Sequence, residues 1–259
     1  MNSRKQVPTL LLIALFAPLC ACHRSAKIEI RAAQKALPPI ILWAWERPED
    51  LEFLDPERFG VAFLAQTLII KGEDVIYQPR HQPLKLSPET KLIAVTRIEG
   101  KKTIGEQPAL SDAQRQRLLS LIVKTTSLQN VTAVQIDYDV AKSEREFYRT
   151  LLIDLRKQLP AGMPLTMTAL ASFCVADRWL QDLPVDEAVP MIFRMGLDNQ
   201  PIKAYLESDN DFREPLCRHS YGIALDEPLH MKFQSSRRLY VFSNRAWQKQ
   251  DVDQIPFIK

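Results

Sequence analysis

Short apolar runs recur along the chain from residue 40 onward, and most are bounded by proline, glycine or charged residues. Runs of this length predict buried β-strands. Eight are present, at residues 40–45, 61–70, 92–99, 131–139, 164–172, 188–196, 221–226 and 239–244. Between them, helix-start signals or apolar residues at helical spacing predict helices at residues 48–54, 111–123, 143–159, 177–183, 201–206 and 245–251.

Strands that alternate with helices predict an α/β fold, and eight such strands fit a small (β/α)8, or TIM-like, barrel. After the second strand, residues 71–77 predict a hairpin instead of a helix. The alternative is an open doubly wound sheet, which normally carries a glycine-rich phosphate loop. The chain has seven glycines and no such loop, which favours the barrel. We predict one barrel domain over residues 39–259, with short or missing outer helices.

The first residues have a different pattern. Arg4 and Lys5 precede an apolar run, residues 7–19, that is too short to span a bilayer comfortably. A basic start followed by a short apolar run predicts a signal peptide. The alternatives are an ordinary secretory signal and a lipoprotein signal, which the residues at the end of the run distinguish.

That end reads Leu19-Cys20-Ala21-Cys22, which resembles the bacterial lipobox. The resemblance implies that residues 1–21 are removed, that Cys22 carries the lipid, and that residues 22–38 form a tether. Cys20 is a poorer start because bulky Leu19 precedes it. If the cysteines are incidental, the segment is an ordinary secretory signal. A lipid on Cys22 would anchor the chain to a membrane.

A lipoprotein signal predicts the bacterial cell envelope. His23 follows Cys22, where inner-membrane lipoproteins tend to have aspartate, and this favours the outer membrane facing the periplasm. An oxidising envelope would permit a disulfide between Cys174 and Cys217. The alternative is two free buried thiols, because the barrel could hold these cysteines at opposite ends.

Charge and histidine content narrow the classes of function. The net charge is +3 with no long basic run, so a phosphate-binding patch for nucleic acid is not predicted. The four histidines form no close metal-binding pair, and we predict no metal and no cofactor. A hard cation held by Asp137, Asp139 and Asp226 is the alternative.

In barrels of this type the active site lies at the C-terminal ends of the strands. The candidate catalytic acids at these ends are Asp139, Asp137, Glu46 and Asp226. The candidate substrate-binding residues are Trp43, Trp45, Gln135, Arg97, Arg194, Glu227 and Asn244.

The fourth strand is the most informative. With a period of two, Gln135, Asp137 and Asp139 face the barrel interior. The residues between them, Val134, Ile136 and Tyr138, face the helices. Burial and mutual repulsion would let one of the two acids hold a proton near neutral pH, as a general acid requires. The alternative is a structural network in which both acids pair with Arg97 and Arg194.

Trp43 and Trp45 share one face of the first strand. Sugar rings stack on tryptophan faces, so the pair is a candidate carbohydrate platform. The alternative is that both indoles only fill the core.

The fourth strand resembles the motif Asp-x-x-Asp-x-Asp-x-Glu of family 18 glycoside hydrolases, the chitinase class. Thr132, Gln135, Asp137 and Asp139 stand at its four positions, and only Asp137 is identical. Asp139 occupies the place of the proton-donating glutamate. The resemblance implies a sugar-cleaving barrel with Asp139 as proton donor and Asp137 beside it.

A broader resemblance is to the bacterial family called domain of unknown function 3142. It is carried by residues 43–51, 135–139, 143–152, 168–172 and 183–196, and would cover residues 40–244. It implies a fold and no substrate.

Together these features predict an envelope lipoprotein whose glycosidase-like barrel hydrolyses or binds a polysaccharide. The first alternative is a non-catalytic lipoprotein that binds a glycan or another envelope protein. A purely structural lipoprotein, in which the acids only form ion pairs, is the second.

Overall fold

The computed structural model describes residues 37–227, 229–253 and 255. The predicted signal peptide, Cys22 and nearly all of the predicted tether lie outside the described residues. Within the described part of the chain, no helix is long and apolar enough to cross a membrane. The strands are β1 (Ile40–Ala44), β2 (Glu49–Asp50), β3 (Phe59–Lys71), β4 (Asp74–Pro79), β5 (Leu84–Lys85), β6 (Leu92–Gly100), β7 (Val131–Tyr138), β8 (Leu165–Leu170), β9 (Glu187–Met191), β10 (Ser220–Ala224) and β11 (Arg238–Phe242).

Eight of these strands form a closed parallel barrel. Their order is β1-β11-β10-β9-β8-β7-β6-β3, and β3 pairs back with β1 from Ile40↔Phe59 to Ala44↔Phe63. Each of the eight predicted apolar runs overlaps one of these strands, so the (β/α)8 prediction is confirmed. The run at residues 188–196 extends past β9, which ends at Met191. The predicted hairpin is also present, since β4 runs antiparallel to β3.

The outer helices are short, as predicted. They are α1 (Asp112–Lys124), α2 (Arg145–Gln158), α3 (Ala171–Val175), α4 (Asn199–Glu207) and α5 (Lys249–Val252). Ser111 caps α1, because its hydroxyl oxygen accepts the backbone N–H of Gln114 at 3.2 Å. No helix of the described residues lies between β3 and β6, where the hairpin takes its place.

The helix predicted at residues 48–54 is wrong. This stretch begins with β2, which pairs with β5. Glu49 is buried, and its carboxylate accepts the Arg47 guanidinium at 2.8 Å and the backbone N–H of Trp247 at 2.9 Å. The contact with Trp247, which is far away in the sequence, fixes an extended backbone here. It outweighs the helix-start signal of Pro48 and the acids that follow it.

The helix predicted at residues 177–183 was misplaced, and the helix predicted at residues 143–159 is present but begins with a 3-10 turn. After β8 the helix is α3, and residues 177–183 form turns in which the Asp177 carboxylate accepts the backbone N–H groups of the next two residues. The start of α2 is preceded by a 3-10 turn, Lys142–Glu144, in which Glu144 accepts the backbone N–H of Ala141 at 2.9 Å. In both places a carboxylate satisfies backbone donors locally.

Alternate residues of each barrel strand enter two separate cores. Val134, Ile136 and Tyr138 of β7 pack in the outer core beneath the helices, as predicted. The inner faces of the strands fill the barrel with a second cluster, made of Ile41, Trp43, Ala62, Leu64, Ile93, Val95, Ala133, Val189 and Tyr240. The interior is therefore packed, and the open space lies at the ends of the strands.

Cys174 and Cys217 are joined by a disulfide, with their Cα atoms 5.8 Å apart. The bond connects α3 to the 3-10 turn Pro215–His219 that leads into β10. The two cysteines therefore lie side by side and not at opposite ends of the barrel. Both are fully buried.

Candidate functional site

An open cleft of about 290 Å³ lies at the C-terminal ends of the barrel strands. Residues at the ends of six strands, residues of α3 and α4, and the loop before α4 line it. They are Trp43, Trp45, Arg97, Asp137, Asp139, Thr168, Leu170, Ala171, Ser172, Met191, Phe193, Arg194, Met195, Asp198, Ile202 and Phe242. Six of the predicted site residues therefore meet in one cleft: Trp43, Trp45, Arg97, Asp137, Asp139 and Arg194.

The floor of the cleft is a buried hydrogen-bonded layer. The indole N–H of Trp43 donates to Oε1 of Gln135 at 2.8 Å, and the Gln135 amide donates to the Thr166 hydroxyl at 3.2 Å. Trp43 is only 3% exposed and Gln135 is 0% exposed. Gln135 thus lies beneath the cleft and orients Trp43.

Gly222 of β10 makes room for this floor. A Cβ atom there would lie 2.9 Å from the Pro190 carbonyl oxygen and 3.2 Å from the Trp43 ring. Because real Cβ atoms are not found that close to backbone atoms, a side chain at this position would displace the strand or the indole. The glycine therefore permits the position of Trp43.

Aromatic rings form one wall of the cleft. Phe193 and Phe242 are stacked with centroids 5.5 Å apart, and Trp45 meets the Phe242 ring edge-on at 6.5 Å. Trp43 continues the group, 6.1 Å from Phe193. Trp45 is only partly buried, so part of its ring is open to the cleft. Such a wall offers apolar faces on which a ring can pack.

The two acids of the fourth barrel strand differ in environment. Asp137 is partly buried, and its Oδ1 accepts the Thr168 hydroxyl at 2.6 Å. Burial raises the pKa of Asp137, the Thr168 hydrogen bond lowers it, and the nearby Asp139 carboxylate raises it. Asp139 is exposed and has no hydrogen bond or salt bridge to another described residue. One acid is thus biased toward its protonated form beside a second, solvated one.

The arginines of the cleft pair with other acids. Arg97 makes a 2.7 Å salt bridge with Glu99 and lies over the Trp45 ring at 5.7 Å. The Arg194 guanidinium lies 4.8 Å from the centre of the Phe242 ring. The predicted alternative, in which both arginines neutralise Asp137 and Asp139, is therefore not the arrangement found among the described residues.

A polar cluster forms the rim beside Arg194. Asp226 accepts the Asn244 amide at 2.8 Å and lies 3.9 Å from the Arg194 guanidinium. Glu227 accepts the backbone N–H of Arg194 at 3.1 Å, which holds this residue in the left-handed region at a φ of 52°. Asp226, Glu227 and Asn244 come together as the strand order implies, but they do not line the cleft.

Glu46 lies elsewhere. It lines a separate depression beside the β3–β4 hairpin. Strand β1 ends at Ala44, so Trp45 and Glu46 already belong to the following turn. The alternation of the strand therefore no longer determines where Glu46 lies. The structure does not bring this acid into the cleft with Asp137 and Asp139.

Several residues of the cleft are not among the predicted site residues: Thr168, Leu170, Met191, Phe193, Met195, Asp198 and Phe242. Thr168 could have been predicted from the alternation of β8. Met167 faces the outer core, so its neighbour Thr168 faces the barrel interior. Asp198 could not have been predicted in this way, since it lies in a 3-10 turn, Gly196–Asp198, outside any strand. No group of three histidine, cysteine or acidic side chains in the described residues is close enough to hold a metal ion.

The fold and cleft define a TIM-like barrel with an acid-containing cleft at the C-terminal ends of its strands. Residues 89–192 match the model of a family described as a domain of unknown function, DUF3142, which confirms that resemblance over β6 to β9. Among solved structures, one match is the chitinase domain of the spore coat protein CotE from Clostridium difficile. That match has a TM-score of 0.40 and 12% sequence identity. It covers 60% of this chain and 50% of the chitinase domain chain, so the present chain matches about half the length of that chain. A comparison with curated proteins found no match.

Proposed function

We propose that this chain binds a polysaccharide in the cleft and cleaves one of its glycosidic bonds, with Asp139 as the proton donor. The observation that carries the proposal is that a partly buried acid, an exposed acid and an aromatic wall line one open cleft. Aromatic faces suit the apolar faces of sugar rings, and paired carboxyl groups are the usual machinery of glycoside hydrolysis.

In this proposal the two acids have different tasks. Asp139 gives its proton to the oxygen that leaves when the bond from the anomeric carbon breaks. Asp137, biased toward its protonated form, donates a hydrogen bond within the cleft. A water molecule completes the reaction at the anomeric carbon, and a second carboxylate takes its proton. Asp198 is the further carboxylate that lines the cleft.

A second candidate is a non-catalytic glycan-binding barrel. It is favoured by the lack of any described hydrogen bond or salt bridge that would orient Asp139. Catalysis requires a proton donor held in a defined geometry, whereas binding requires only the aromatic wall and polar contacts. Both candidate functions use the same cleft for the glycan, and only the first predicts that the glycan is cleaved.

The proposal includes a lipid anchor on Cys22 at the outer membrane, facing the periplasm of a bacterial envelope. The Cys174–Cys217 disulfide supports an oxidising compartment. In cells fed a palmitate analogue, the wild-type chain should carry label and Cys22→Ala should not, while Cys20→Ala should keep it. Label that persists in Cys22→Ala would rule out this anchor.

The test of catalysis begins with a form lacking residues 1–22, screened on glycan arrays and chromogenic glycosides. With the best substrate, Asp139→Asn should lower kcat at least a hundredfold, since general acid catalysis commonly contributes about 10²–10⁴-fold. Glu57→Gln, an exposed change at the opposite end of the barrel, is the matched control. Unchanged turnover in folded Asp139→Asn would exclude Asp139 as the acid. Binding without any turnover by the wild type would favour the second candidate.

A further inference from the structure

A second depression, of about 390 Å³, lies beside the cleft. The turn after β1, the far part of β3 and the β3–β4 hairpin with its following residues enclose it. Its polar lining includes Glu46, Thr67, Gln78, Arg80, His81 and Gln82. This is the side of the barrel where the hairpin takes the place of an outer helix, and Tyr77, Gln78 and Pro79 of the hairpin line the depression.

The depression and the cleft share a wall. Trp45 lines the cleft, and the next residue, Glu46, lines the depression. Across the sheet, Thr67 of the depression is the register partner of Arg97 of the cleft. A bulge between Leu64 and Gln66 shifts the alternation of β3, so Thr67 faces the same side as Arg97. Neighbouring parallel strands are about 4.8 Å apart, so the two lie one strand spacing from each other.

Arg80 fixes this wall. Its guanidinium donates to the backbone carbonyl oxygens of Trp45, Arg47 (2.7 Å) and Gln82 (3.0 Å). These bonds tie the residues after the hairpin to the turn that presents the Trp45 ring to the cleft. Because its donors are used on backbone oxygens, Arg80 has little capacity left for an anionic ligand.

The remaining lining groups suit a neutral ligand rich in hydroxyl groups. Glu46 and Gln78 are exposed and offer a carboxylate and an amide. Thr67 is 4% exposed, and its buried hydroxyl has no hydrogen-bond partner among the described residues. Such an unpartnered group is costly, and a ligand hydroxyl could supply the missing bond. Carboxylates, amides and hydroxyls together can donate to and accept from several sugar hydroxyls.

We infer that this depression is a second sugar subsite, so that the ligand is a linear, uncharged oligosaccharide long enough to occupy both the cleft and the depression. The inference rests on the proposed function, because it extends the same bound chain past Trp45. It assigns Glu46, Thr67 and Gln78 to binding of the far sugar units. In this arrangement the β3–β4 hairpin extends the binding site, so that more sugar units of one polymer chain are bound.

The test compares chain lengths. The full-length protein in detergent is titrated calorimetrically with N-acetylglucosamine oligomers and with β-1,4-glucose oligomers, from dimers to hexamers. Gln78→Ala removes one amide from the depression. Gln129→Ala, at an exposed glutamine in the turn before β7 on the opposite end of the barrel, is the matched control. Thr67→Val removes the buried hydroxyl with little change of shape.

For wild type and the control variant, the hexamer should bind at least tenfold more tightly than the dimer. In Gln78→Ala and Thr67→Val that ratio should fall roughly threefold to tenfold, the range expected for one lost hydrogen bond. An unchanged ratio in both folded variants, or no gain with chain length in the wild type, would overturn the subsite and leave the proposed function standing. No binding of any oligomer of either series would overturn both.

Discussion

Asp137 lies in an environment that disfavours its charged form. Burial raises the pKa of its carboxyl group, so between its unfolded and folded pKa values the folded state binds more protons than the unfolded state. The contribution of Asp137 to stability is therefore present at low pH and is lost as the pH rises through the folded pKa. A neutral side chain of the same shape would not show this loss.

We predict that Asp137→Asn is more stable than the wild type at pH 8, and that the difference shrinks as the pH is lowered toward 4. The asparagine oxygen can still accept the Thr168 hydroxyl, so the change isolates the charge. Thermal unfolding of both proteins across this pH range measures the effect. A difference that does not vary with pH would show that Asp137 is not held in a charge-disfavouring environment.

At the residue scale, the sequence was sufficient wherever a side chain lay inside a regular strand. The alternation of β7 correctly turned Gln135 and Asp137 inward, because the period of a strand is fixed by its backbone. It failed for Glu46, because β1 ends before it and a turn directs the side chain into the second depression. The depth of Gln135 below the cleft was also not predictable, since it depends on its bond to Trp43.

At the scale of elements, the Cys174–Cys217 disulfide joins two segments near the cleft. It attaches α3, whose first residue Ala171 lines the cleft, to the turn before β10. The cysteines are 43 residues apart. A cross-link that closes a loop of this size restricts the unfolded chain and stabilises the folded state by about 4 kcal/mol.

We predict that the double change Cys174→Ser and Cys217→Ser lowers the free energy of unfolding by about 4 kcal/mol, measured by urea denaturation. The reduced wild-type protein is the natural control, because it loses the bond without gaining two hydroxyl groups. Equal stability of the oxidised wild type and the double variant would contradict a stabilising cross-link.

Elements were predictable where periodicity was strong. The apolar stripe of α2 and the cap of α1 predicted those helices, because both signals are local. The stretch at residues 48–54 was not predictable from local signals, because the buried Glu49 carboxylate is fixed by the backbone of Trp247, far away in the sequence. Long-range contacts of this kind outweigh local helix signals.

At the scale of the whole molecule, two features together predicted the closed barrel. Eight strands that mostly alternate with helices fit a (β/α)8 barrel, and the lack of a glycine-rich phosphate loop argued against the open sheet. The shape of the cleft was not predictable from the sequence. Its wall pairs Phe193 with Phe242, and its rim pairs Asp226 with Asn244, and these contacts between distant positions follow only from the completed barrel.

We propose that a glycan binds in the cleft beside Trp45, and both candidate functions require this binding. The affinity of Trp45→Ala for the best glycan of the screen tests it. We predict a loss of at least tenfold, about 1.4 kcal/mol, because the open face of the indole is removed. Leu128→Ala, which trims an exposed side chain at the opposite end of the barrel, should bind like the wild type. An unchanged affinity in folded Trp45→Ala would show that the glycan does not bind against this ring.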